Sequence, residues 1–245
     1  MRQRPWFSAL VLAVSLAAGT AVADRLITKE VEPPVVAGQA PAEKETYTIW
    51  VGESRLREDR RNRSMIVDRS AGKMYVIKHA DKTYYEIDLP IEFESMVPPE
   101  MIVQWRTVLK AGQPKITIEP SSETGTVRGH DVKKWVAVVT SPAGTSTTMT
   151  LWTTLDPGFD VEEYKALMQE IIALQPNSAE WIRELYDSVE GYPVRILRSV
   201  STPDGEQVWT EEMISVEEKT APQGAWLPAE GYTEVEFNLL SAPPE

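Results

Sequence analysis

The spacing of short β-patterned runs between Glu45 and Leu89 constrains this chain more than any other feature. Tyr47, Ile49 and Val51 alternate with other residues in the run Glu45–Val51, the period of a strand with one buried face. Comparable runs follow at Ser54–Asp59, Ser64–Asp68, Lys73–His79 and Thr83–Leu89. The breaks between them are turn-sized, as in Arg69-Ser70-Ala71-Gly72 and Ala80-Asp81-Lys82. A parallel crossover needs about a dozen residues or more. These runs can therefore pair only with antiparallel neighbours, and the segment reads as a β-meander.

Pro90 closes the meander, and Pro98 and Pro99 stand where proline suits the first turn of a helix. Met101, Ile102, Trp105, Val108 and Leu109 then recur at helical spacing before Gly112, predicting a helix whose single apolar face lies on the sheet. Strands are expected again at Lys115–Glu119, Gly125–Gly129, Val132–Thr140 and Thr147–Thr154, the last two joined by a loop of Ser141, Pro142, Ala143, Gly144 and Thr145. Asp160 and Glu163 form a capping-box pattern before an apolar stripe of Val161, Tyr164, Leu167, Met168, Ile171 and Ile172, which Pro176 stops. Asn177 or Ser178 can cap a second helix through Trp181, Ile182, Leu185 and Val189, closed by Gly191. Arg25–Glu30 at the start and Pro193–Ser201, Gln207–Glu217 and Thr233–Phe237 at the end complete about eleven to thirteen strands. No fixed-period repeat or linker divides them. The expected fold class is mainly β (α+β), one large antiparallel sheet with helices on one side.

Ahead of these elements stands a leader. Arg2 and Arg4 precede an apolar run from Phe7 to Ala18, and Ala21-Val22-Ala23 ends it as a cleavage site. The run is shorter than the roughly 20 apolar residues that span a bilayer. The expectation is a signal peptide over 1–23 and a single mature domain over 24–245, with a Pro/Ala/Gly-rich loop at 32–43 and a flexible tail at 240–245. The protein is expected in the periplasm, with no transmembrane segment once processed. The absence of cysteine removes disulfides, thiolate nucleophiles, zinc–thiolate sites and lipid attachment at an N-terminal cysteine. A net charge of −12 makes the chain a poor partner for nucleic acid, which calls for clustered cations.

Several local phrases carry a resemblance. They are Ser54-Arg55-Leu56-Arg57, Tyr84-Tyr85-Glu86-Ile87, Arg128-Gly129-His130, Leu151-Trp152-Thr153-Thr154, Gly191-Tyr192-Pro193-Val194 and Pro228-Ala229-Glu230-Gly231-Tyr232. With the order of elements, they resemble a secreted bacterial domain-of-unknown-function family similar to the periplasmic lipoprotein carriers LolA and LolB. That resemblance implies an unclosed barrel of about eleven strands with about three helices over its concave face, a face that holds acyl chains in the Lol carriers. Relatives of this kind often carry a cysteine shortly after the position of Gly129, and this chain has none.

The residues that carry chemistry are few. His79 and His130 are the only histidines, no Gly-x-Ser-x-Gly elbow accompanies them, and no phosphate-cradling glycine loop or dinucleotide fingerprint is present. Asp156-Pro157-Gly158-Phe159-Asp160 lacks the ligand spacing of a calcium loop. The chain is thus expected to be no enzyme and to hold neither metal nor cofactor. Trp50, Trp105, Trp135, Trp152, Trp181, Trp209 and Trp226 remain after the leader and serve core packing, or line an apolar pocket between the sheet and the Trp105 helix. The ligand-binding candidates are Trp105, Met101, Trp50, Trp152 and Tyr85. Arg55, Arg57, Arg60, Arg61 and Arg63 form a basic cluster. It reads either as a charged edge that blocks strand pairing or as a docking patch for an anionic partner. The functional expectation is an envelope binder or carrier of a hydrophobic or lipid-like ligand. The alternative is a protein-interaction or chaperone-like module docking partners on its curved sheet.

Overall fold

The computed structural model describes residues 23–34, 42–92, 96–175, 179–202 and 205–237. The expected leader through residue 22, the middle of the 32–43 loop and the tail lie outside them, as do Asn177 and Ser178. Among the described residues the strands are β1 (Arg25–Glu32), β2 (Glu45–Gly52), β3 (Arg55–Asp59), β4 (Arg63–Asp68), β5 (Lys73–Lys78), β6 (Thr83–Asp88), β7 (Lys115–Val127), β8 (His130–Thr140), β9 (Ser146–Thr154), β10 (Tyr192–Thr202), β11 (Gly205–Glu218) and β12 (Thr233–Glu234). The helices are α1 (Ile102–Gly112), α2 (Val161–Ala173) and α3 (Ala179–Ser188). All twelve strands form one unclosed, curved sheet in the order β12-β6-β5-β4-β3-β2-β1-β11-β10-β9-β8-β7.

Two antiparallel meanders, β2 to β6 and β7 to β11, flank β1, which pairs with β2 on one side and β11 on the other. The segment from β6 to β7 therefore carries the chain from one end of the sheet to the other. The two expected strands at 115–119 and 125–129 are one strand, β7, with an irregularity between Pro120 and Thr124. Proline cannot donate to a ladder, and an edge strand tolerates the missing bond. Among the described residues the only parallel pair, β12 with β6, comes from the C-terminal segment.

α2 and α3 cover one face of the sheet. Tyr164, Leu167 and Ile171 of α2 pack with Ile27, Ile49, Leu56, Met65 and Met74 in the main core. Leu185 of α3 and Val189 pack with Trp135, Ala137, Val139, Met149 and Leu151 in a second. Asp160 caps α2 by accepting from the amides of Glu162 and Glu163. The reciprocal half of the box is not made. The Glu163 carboxylate instead accepts from the amide of Ser54 at 2.7 Å, tying the helix to the β2–β3 turn. Gly191, which takes the chain from α3 into β10, has φ +79°, and a Cβ there would lie 2.3 Å from the Thr154 carbonyl oxygen. Only glycine fits that approach.

The expectation for the Trp105 helix is corrected. α1 has no fully buried residue; of the expected face, Met101, Ile102, Trp105 and Leu109 are only half-buried and Val108 is 55% exposed. An apolar stripe at helical spacing reports that one side is apolar, and it does not say whether the rest of the chain can reach that side. Leu167→Ala, at a wholly buried position, should cost about 2–5 kcal/mol, whereas Val108→Ala should stay within about 0.5 kcal/mol. Urea denaturation of the two variants checks the contrast, and equal losses would contradict this placement of the helices.

Candidate functional site

A cavity of about 220 Å³ lies between α2, α3 and the sheet. Its helix wall includes Val161, Tyr164 and Met168 of α2 and Trp181, Ile182, Leu185 and Tyr186 of α3. Its sheet wall includes Ile49, Met149, Leu151 and Ile196, with a charged sector made by Lys29, Glu58, Arg60 and Glu211.

Strand register brings that sector together. β1 and β11 shift register between Thr28 and Lys29, where Thr28 pairs with Ser215 and Lys29 with Met213. The extra residue is Ile214. One inserted residue reverses which side chains face which side. Beyond it, Met213 and Glu211 take the helix-covered face with Lys29, and Glu212 takes the opposite face. There Glu212 forms ion pairs with Arg128 and Arg195.

The Lys29 ammonium donates to the Glu211 carboxylate at 2.5 Å. Lys29 is buried, and its Nζ lies 5.2 Å from the Tyr192 ring centroid. Arg60 pairs with Glu58 at 2.6 Å and stacks over Tyr47 at 3.9 Å. Burial by itself would raise the Glu211 carboxyl; the Lys29 ammonium, with Arg60 and the Tyr47 hydroxyl behind it, outweighs burial and holds it below the ordinary value. Burial would likewise lower Lys29, but Glu211 raises it well above the ordinary lysine range. Burial pushes the Tyr47, Tyr164 and Tyr192 hydroxyls up and Tyr186 to about 12. Near neutral pH the sector therefore holds two ion pairs among uncharged phenols. The Tyr192 hydroxyl is buried and makes no hydrogen bond of good geometry.

None of the five residues expected to bind ligand lines this cavity. Trp105 and Met101 are half-buried in and just before α1. Trp50 is buried on the opposite side of β2 from Tyr47 and Ile49, as strand alternation requires. Trp152 pairs across to Arg195 and Lys134, away from Leu151. Tyr85 joins the main core near the sheet edge, edge-on to Phe237 at 5.3 Å between centroids. The tryptophan at the cavity is Trp181, which is not among the five candidates. A legible signal for the site was Lys29 in register with the buried Ile27, and Glu58 with the buried Leu56: charges placed where strand alternation calls for apolar groups.

The basic cluster is largely engaged inside the fold. Arg57 pairs with Asp59 and donates to the Ala225 carbonyl, Arg60 pairs with Glu58, and Arg55 stacks over Trp226 at 4.8 Å. His79 is better connected than a loop histidine. Its Nε2 lies 2.9 Å from the Ser64 hydroxyl, which donates to Asp59, and its Nδ1 lies 3.0 Å from the Tyr232 hydroxyl. A serine triad needs the acid on the far nitrogen of the histidine and an accessible nucleophile. Here the acid holds the serine, a tyrosine holds the histidine, and Ser64 is 0% exposed. The chain of bonds fastens the C-terminal segment to β4 and β5.

Because the Lys29–Glu211 pair is desolvated, removing one partner leaves an uncompensated buried charge. Lys29→Met alone should cost about 3–5 kcal/mol, and adding Glu211→Met should recover most of it. The lowered Glu211 pKa means its contribution is complete above the ordinary carboxylate value of 4.5 and is lost as pH falls through the lower folded-state value. The raised Lys29 pKa means that its contribution is complete below the ordinary 10.5 and is lost only as pH rises through a higher value. Denaturant titrations across acidic pH should show a steeper loss of stability in the parent than in the double variant. Parallel curves would remove the pair from the account.

Residues 46–232 match the family described as Domain of unknown function (DUF4412). No curated protein matches the chain in sequence. Among solved structures, PNGF-II is similar with a TM-score of 0.43 and 15% identity, over 89% of this chain and 32% of that one. MucB is similar with a TM-score of 0.36 and 14% identity, over 86% of this chain and 59% of that one. An outer membrane lipoprotein-sorting protein domain from Vibrio parahaemolyticus gives a TM-score of 0.28 and 8% identity, over 84% of this chain and 90% of that one. The chain thus spans about a third of the length of PNGF-II and somewhat over half that of MucB. The family match runs from the second residue of β2 to the residue before β12, taking in both meanders and all three helices, and on that extent the chain belongs to the family Domain of unknown function (DUF4412).

Proposed function

We propose that this protein is an exported, non-enzymatic binder of a slender hydrophobic ligand, held between α2, α3 and the sheet. The observation that carries this reading is the cavity itself, with apolar walls from β2, β9, β10, α2 and α3 and one compact polar sector. Ligand sites are typically apolar with a few convergent polar groups. An engineered cavity of about 150 Å³ takes up benzene, so about 220 Å³ suits one acyl chain or a comparable slim group. Ordinary ligand pockets reach about 300–1,000 Å³, and a whole two-chain phospholipid would not be enclosed. The reading of the Arg55–Arg63 cluster as a docking patch has less support, since at least Arg55, Arg57 and Arg60 are engaged within the fold.

Saturated fatty acids and alcohols of increasing chain length should raise the melting temperature and alter the emission of Trp181. Binding to the folded state alone adds about 2.7 kcal/mol when ligand is at one hundred times its dissociation constant. Ile182→Trp, which fills a half-buried position in the helix wall, should abolish the effect while the protein stays folded. A series with no thermal shift at any chain length would end the binder reading.

Export rests on the basic, apolar and small-residue order of the leader. Asp24 accepts at its carbonyl from Lys219 and at its carboxylate from Ala221, so processing before Asp24 would leave these two anchors in place. N-terminal sequencing of protein from the periplasmic fraction should begin at Asp24 or within a residue or two. An intact Met1 on membrane-bound material would contradict export by cleavage.

A further inference from the structure

The cations around the cavity are not equally engaged. Lys29 is held by Glu211 and Arg60 by Glu58. Lys165 donates to the Val189 carbonyl at 3.1 Å and lies 3.4 Å from the Glu162 carboxylate. Arg198 is the exception. It lines the cavity from β10, it is exposed, and among the described residues it has neither ion-pair nor side-chain hydrogen-bond partner. It stands two residues beyond Ile196, whose side chain belongs to the apolar wall. The nearest carboxylate on the same face by register is Glu211, diagonal to it across β11 and already bound by Lys29.

An apolar slot beside an unpaired guanidinium matches a molecule with an apolar chain and an anionic head. We propose that Arg198 is the head-group anchor of the cavity and that the ligand is a single-chain anionic amphiphile, its chain against Ile196, Leu185 and Met149 and its carboxylate or phosphate on Arg198. This rests on the binder reading above and adds the charge of the ligand and the direction in which it lies. Arginine suits either head, since its planar fork meets carboxylate and phosphate oxygens in pairs. The compensated pairs at Lys29 and Arg60 do not compete for the head, because each cation already has its anion. A cationic head would meet Arg198 as a like charge, and a neutral head would leave it unused.

Four probes of one chain length decide the matter: decanoate, decyl phosphate, decanol and decyltrimethylammonium, each titrated calorimetrically into the full mature chain at low salt. Decanoate or decyl phosphate should bind about two- to fivefold more tightly than decanol, the range expected for a contact at a solvent-exposed rim. The advantage should shrink as salt is added. The stronger of the two anions identifies the head as carboxylate or phosphate. Arg198→Gln, an exposed substitution that should leave the fold intact, should erase the advantage of the anions over decanol. Arg198→Glu should reverse the order, so that decyltrimethylammonium binds better than either anion. If decanol binds as tightly as the anions, or if their advantage survives in Arg198→Gln, the head-group assignment is overturned and the binder reading stands. If none of the four probes binds, the binder reading itself fails.

Discussion

The ammonium of Lys29 and the carboxylate of Glu211 sit on the covered face of the sheet, where an unpaired charge would be costly to bury. The pair persists because each group satisfies the other, and the surrounding structure keeps them in reach. Ile214 is the residue that makes this possible: the register shift it creates turns Glu211 toward Lys29 and sends Glu212 to the other face with Arg128 and Arg195. Tyr47, Tyr164, Tyr186 and Tyr192 surround the pair with polarisable rings and neutral hydroxyls. A core of this kind cannot close as tightly as one built only of aliphatic side chains, because ionic and phenolic groups impose directions on their neighbours. The cavity lies at that corner, between the main core around Leu167 and the second core around Leu185.

The other face is organised by the end of the chain. After β11, the residues near Lys219 and Ala221 bond to Asp24, Ala225 accepts from Arg57, and Trp226 lies under Arg55. Trp226 and Tyr232 pack on Ile66, Tyr75 and Ile77, and Thr233 and Glu234 join β6 as a parallel strand. This covers the apolar outer side of β4 and β5 and occupies an edge of β6 that would otherwise offer unpaired backbone groups. The arginines of β3 owe their arrangement to this strap. Asp59 and Ser64, linked to Tyr232 through His79, serve it too. The helices hold one side of the sheet and the C-terminal segment holds the other, with α1 left largely outside both.

The sequence by itself determined the antiparallel architecture, because turn-sized breaks leave no room for crossovers. It also determined the stripes of α2 and α3, the cap at Asp160 and the strand alternation that buries Ile27, Ile49, Leu56 and Met74. These are local facts: period, spacing and turn chemistry act within a few residues of one another. Tertiary structure decided which faces meet. The spacing of Met101, Ile102, Trp105, Val108 and Leu109 describes an apolar side of α1 equally well whether or not the sheet reaches it. Trp50, Trp152 and Tyr85 look alike as strand aromatics, yet they fall on different surfaces. The site was beyond local reading for a stronger reason. Lys29 and Glu211 are 182 positions apart in the chain, and their meeting depends on a single-residue register shift in a strand pair that no local propensity specifies. Only the closed set of strand pairings chooses between Glu211 and Glu212.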